Sequence, residues 1–186
     1  MRDKINEILN LIKANKFVEA ESKCEEIKIK LDKNVEFLHI YGFIFLNLKK
    51  YDKAINVWKK AIEINPEFVE GLNNLGNAFL KIKKFDEAIE YLNDALKLKP
   101  DFFETYYTLS EVFFHKAMYE ASLKNLDKAL NLKPDHLPTI NNKIKLLLKM
   151  SKKEDALKFL DKVIPYHPKN SELYNEKAEI LSDLGK

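Results

Sequence analysis

LNNLGNAFLKIKKFDEAIEYLNDALKLKP, residues 72–100, holds two amphipathic stretches separated by the break KIKK and closed by a proline. Within it apolar side chains return every three or four positions, the spacing that gathers them on one face of a helix. Gly76 in the first stretch and Ala88 and Ala95 in the second are small, and small residues let two helices approach closely. Pro100 ends the second stretch, because proline offers no N–H to continue a helix and drives its predecessor toward extended geometry. The segment reads as a helical hairpin.

The same pattern recurs outward in both directions with a period of 34 residues, seen most simply in Pro66, Pro100, Pro134 and Pro168. Small residues recur at Ala20, Ala54, Ala88, Ser122 and Ala156, and again at Ala61, Ala95 and Ala129. A third small column, Gly42, Gly76 and Ser110, is interrupted by Ile144 and returns at Ala178; it should mark the tightest contact between paired helices. Large columns alternate with the small ones, as close packing requires: Phe45, Phe79, Phe113, Leu147 and Leu181, with Phe17, Tyr51, Phe85 and Tyr119 at the turns. The spacing predicts helices at 36–48 and 52–64, 70–82 and 86–98, 104–116 and 120–132, and 138–150.

Bulk composition agrees with an all-α chain. Of 186 residues 46% are hydrophobic and 33% charged, enough to build a core, and only 4 Gly and 6 Pro are present. The net charge of +3 comes from 32 basic and 29 acidic residues spread along the whole chain, and Arg2 is the single arginine, so recognition of nucleic acid through arginine forks is not expected. Cys24 is the sole cysteine, which excludes an internal disulfide or thiolate cluster and suits a reducing, cytoplasmic setting. No apolar run of about 20 residues is present, so no membrane partner is expected.

Leu72, Leu75, Gly76, Phe79, Ala88, Ala95 and Pro100 stand where the tetratricopeptide repeat family places its signature, and the chain resembles that family over nearly its whole length. The resemblance implies a right-handed superhelical solenoid of antiparallel helix pairs, with first helices lining a concave face and second helices forming the back. It divides residues 1–186 into a degenerate first repeat (1–34), repeats at 35–68, 69–102, 103–136 and 137–170, and a terminal or capping helix (171–186). Two departures stand out. Lys143 and Ile144 replace leucine and glycine in the fourth matching unit, and Pro165 falls in the last turn of a second helix, which should stop early or kink. Some members grip the carboxylate of chaperone tails with two lysines and two asparagines; here His39 and Phe43 occupy the first of those positions, so that clamp is not expected.

Side chains of the first helices left over from the packing columns should line the groove. They are His39 and Phe43, then Asn73 and Asn77, then Tyr107, Glu111 and Phe114, then Asn141 and Lys145, with Asn175 and Glu179 at the end. Asparagines offer a donor and an acceptor to a peptide backbone, although plain polar surface explains them equally. In FFETYYTLSEVFFHKAMY, residues 102–119, core packing accounts for Tyr106, Leu109 and Phe113 but leaves Tyr107, Phe114 and Phe103 as anchors, unless the helix is buried on more sides.

Residues for catalysis, a cofactor or a metal are absent from the pattern. The sequence has no phosphate loop, zinc pair or nucleophile elbow, and His39, His115, His136 and His167 lie in different repeats, the last two expected to face solvent. Cys24 shares the column of Trp58, Leu92, Leu126 and Leu160 and reads as a buried, inert thiol. The leading expectation is a non-enzymatic adaptor that binds another protein or peptide. The alternatives are the targeting arm of a larger enzyme and a self-assembling module joined through its terminal helix.

Overall fold

The computed structural model describes residues 2–185; residues 1 and 186, the outermost positions of the predicted first and last segments, lie outside that range. Among the described residues the chain forms eleven α-helices and no strand: α1 Arg2–Lys13, α2 Phe17–Leu31, α3 Val35–Asn47, α4 Tyr51–Ile64, α5 Val69–Lys81, α6 Phe85–Leu98, α7 Phe103–His115, α8 Tyr119–Leu132, α9 Leu137–Lys149, α10 Lys153–Val163 and α11 Ser171–Asp183. The helices from α3 to α9 begin and end within one residue of the sequence expectation. They gather into two compact units divided between Thr108 and Leu109, inside α7.

Both kinds of turn repeat every 34 residues. Where a first helix ends, Asn15, Lys49, Lys83, Ala117 and Ser151 take φ values of 56–61°, in the left-handed region, and Gly185 takes 67°. This conformation closes the helix by returning two N–H groups to the last free carbonyls: Lys49 N donates to Leu46 O (3.0 Å) and Lys50 N to Phe45 O (2.8 Å), and the bonds recur at Ala117 and Met118 (3.0 and 2.9 Å). Where a second helix ends, the proline occupies the second position of a β-turn, as in Phe68 N to Asn65 O (3.1 Å) around Pro66. Asn65, Lys99 and Lys133 precede their prolines in extended geometry, with ψ of 83–95°. The first repeat makes the same turn, Asn34 N to Leu31 O at 2.9 Å, but α2 stays helical through Leu31, a conformation proline would oppose, and Asp32 stands there instead.

In the first unit the small columns act as anticipated. A Cβ added to Gly42 would lie 2.5 Å from Trp58 Cε2, and one added to Gly76 would lie 2.5 Å from Leu92 Cγ, so each glycine lets the partner helix's large side chain close onto backbone. Trp58, Leu92, Cys24 and Ala54 are completely buried. Asn34 caps α3 by accepting from Phe37 N at 2.7 Å.

The second unit packs Ile140, Ile144, Leu147, Leu160, Ile164, Leu173 and Ile180 into one apolar cluster. Ile144 fills the glycine column at full burial. Lys143 keeps its charge paired with Asp127 at 2.6 Å while its stem lies against Phe159, with Nζ 4.2 Å from the ring centre. Pro165 has the expected effect: α10 stops at Val163 after 11 residues and a 3-10 turn, Ile164–Tyr166, replaces its last turn.

Candidate functional site

The side chains expected to form a groove fall in both units. In the first, His39 is half-buried with its ring edge-on to Phe68 at 5.2 Å, and its Nδ1 is buried without a hydrogen-bond partner. Burial holds its pKa below the ordinary histidine value, partly offset by Glu70. Phe43 remains 37% exposed, edge-on to Phe17 at 6.2 Å. Asn77 is half-buried, and so is Tyr107, which stacks on Phe103 at 6.4 Å. Asn73 departs from the expectation of an open wall. It is 8% exposed, and its Oδ1 accepts from the Thr105 hydroxyl at 3.1 Å, so that oxygen joins one repeat to the next.

The second unit brings its expected residues together. A cavity of about 200 Å³ between α7, α8 and α9 is lined by Glu111, Phe114 and Lys145, with the buried Ser110, Ser122 and Leu126 at its floor. Its position follows from the small columns. Where Gly42 and Gly76 have no side chain, Ser110 carries a Cβ, and Ser122 replaces the recurring alanine and donates its hydroxyl to Ser110 O at 2.7 Å. Phe114 is held from outside by Tyr119, 6.0 Å between ring centres, and by Lys149, whose Nζ is 5.8 Å from the Phe114 ring and 5.7 Å from that of Tyr119.

A second cavity, about 350 Å³, lies between α9 and α11 and is lined by Asn141, Lys145, Glu172, Asn175, Glu176 and Glu179. Lys145 is common to both cavities and is exposed. Sequence reasoning did not include the serine floor of the first cavity, although both small columns changing to serine in one repeat was a visible signal. Nor did it single out Glu176, which lies one turn beyond Glu172 on the same face.

Cys24, His136 and His167 lie outside these two cavities. Cys24 is buried, and its thiol pKa is pushed up to about 12, chiefly by burial and then by Glu25 and Glu21. Contrary to expectation, His136 and His167 are half-buried rather than solvent-facing; His136 Nδ1 lies 2.7 Å from Thr139 Oγ1, which ties the ring to the first turn of α9. Among the described residues no three His, Cys, Asp or Glu side chains are placed to hold a metal ion, and no helix is long and apolar enough to cross a membrane.

Three family models match the sequence: a TPR repeat over residues 42–83 and tetratricopeptide repeats over 69–102 and 103–136, together just over half the chain. Comparison with curated proteins finds no significant match. Among solved structures, MamA 41-end from Desulfovibrio magneticus RS-1 is similar at 20% identity and TM-score 0.77, over 91% of this chain and 96% of that one. TTC0263, a thermophilic TPR protein of Thermus thermophilus, is similar at 18% identity and TM-score 0.78, over 97% and 98%. YrrB, described as a TPR protein with an unusual peptide-binding site, is similar at 19% identity and TM-score 0.68, over 94% and 90%.

Proposed function

Because the chain belongs to the tetratricopeptide repeat family, we propose that it is a non-catalytic adaptor or scaffold that binds a peptide or helix of another protein against its first helices. Its fold class, antiparallel helix pairs of the all-α superhelical solenoid kind, is shared with its structural neighbours and commonly serves protein interaction rather than catalysis. A neighbour described as having a peptide-binding site, YrrB, lends the reading some support by analogy. The observation that carries it lies in the second unit. Glu111, Phe114, Asn141 and Lys145, selected because core packing did not need them, all line two neighbouring cavities that share Lys145. A half-buried aromatic beside a cavity is the usual anchor of an interface. The test is affinity capture from the native cell's lysate with the wild type and the folded Phe114→Ala, Lys145→Ala variant. Loss of a specific protein from the variant's eluate supports this face, whereas identical eluates exclude it.

A second reading, self-association, is favoured by one feature of α11. Tyr174 is 46% exposed and Ala178 is exposed, although the same two columns are buried at Leu38 and Gly42, and at Ile140 and Ile144. A second copy docking on that face would give a mass by light scattering that rises with concentration and falls to the monomer in Ala178→Glu. A mass independent of concentration would dismiss it.

A further inference from the structure

If the second unit presents a peptide-binding face, as proposed above, its two cavities differ in chemistry, and the difference specifies the peptide. The first has a mostly apolar lining: Leu126 is buried beside the two serines of its floor, the Ser122 hydroxyl is satisfied by Ser110 O, and Phe114 forms one wall. An apolar cavity of about 150 Å³ can accept benzene, so one of about 200 Å³ has room for an aliphatic or aromatic side chain.

The second cavity carries the opposite character. Glu172, Glu176 and Glu179 follow one another at intervals of four and three along α11, so their carboxylates share one face and repel. Among the described residues none of the three forms an ion pair, whereas the neighbouring charges are matched: Lys143 with Asp127, Lys177 with Asp161 and Lys153 with Asp183, at 2.6–2.9 Å. The lysine of α11 itself, Lys177, is thus directed away to α10. Among the described residues the one cation lining this cavity is Lys145. Three carboxylates facing one lysine leave a site complementary to added positive charge.

We infer that the second unit takes an extended peptide carrying a large apolar side chain, for the cavity beside Phe114, and a lysine or arginine for the carboxylates of α11. Packed helices stand about 8–10 Å apart, and an extended chain advances about 3.3 Å per residue, so the two peptide residues are about three positions apart. The apolar side chain supplies the contact, and the basic one fixes its register.

The test is panning of a random phage-displayed peptide library on the full chain, in parallel with a Glu172→Gln, Glu176→Gln, Glu179→Gln variant whose helicity is checked by circular dichroism. Wild type should enrich peptides with a large apolar residue and a Lys or Arg about three positions from it. Made synthetically, these should bind the triple variant about tenfold more weakly at low salt. Enriched peptides that are acidic or uncharged at that position, or that bind the variant equally well, overturn the inference while leaving a peptide-binding face intact. A library that enriches nothing on wild type overturns both.

Discussion

Replacing Ala117 by glycine should stabilise the protein, although it removes a methyl group and adds backbone freedom. Ala117 sits at φ 56°, where its Cβ crowds the following carbonyl at a cost of about 1–2 kcal/mol for an L-residue. Glycine avoids that cost but loses about 0.5–1 kcal/mol more chain entropy on folding, which leaves a net gain of about 0.5–1 kcal/mol. Ala117 is exposed, so the lost methyl removes little packing, and the bonds to Phe114 O and Phe113 O are made by backbone N–H groups that glycine retains. For a chain of this length the gain corresponds to a rise in Tm of about 2 °C, measurable by circular dichroism at the helix band. Lys124→Gly, at an exposed position within α8, is the control and should cost about 1 kcal/mol. An Ala117→Gly protein that melts at or below the wild-type temperature would refute the argument that the turn is strained.

Three further outcomes are expected. Gly42→Ala places a methyl 2.5 Å from the Trp58 ring and should destabilise by about 1–3 kcal/mol in urea denaturation, a larger loss than at any exposed helical position. Cys24, with its thiol raised to about 12, should resist Ellman's reagent at pH 8 in the native protein and react at once in denaturant; fast native labelling would show that it is accessible. His39 has a folded-state pKa below 6.5, so the folded protein prefers the neutral ring. Its contribution is present above pH 6.5 and is lost as pH falls through the folded value, so stability should drop between pH 7 and pH 5, and less so in His39→Gln.

Much of the architecture could be read from the spacing of a few residues. Proline at the second position of four inter-repeat turns and small residues at most helix crossings restrict the chain so strongly that the boundaries of α3 to α9 fell within one residue. Pro165 is a similar case, since a missing N–H acts locally and needs no tertiary context. The left-handed turns left no such trace: Asn, Lys, Ala and Ser occupy them, and only Gly185 shows the residue that the conformation favours. Asn73 was misplaced for another reason. Its burial depends on a hydroxyl 32 positions away, and nothing in the side chain itself distinguishes an asparagine on a wall from one in a joint. The candidate face was legible as a set of leftover side chains, but its division into an apolar and an acidic cavity depends on how α7, α9 and α11 are spaced.

Helix α11 is covered along one side by α10, while Tyr174 and Ala178 face outward on another. Opening it exposes less apolar surface than opening any helix held from both sides, so its backbone amides should exchange with deuterated solvent earlier than those of α9. A peptide lying against Glu172, Glu176 and Glu179 would hold that helix closed. Slower exchange in α11 would then report occupancy from the helix's own amides, without a label on either partner.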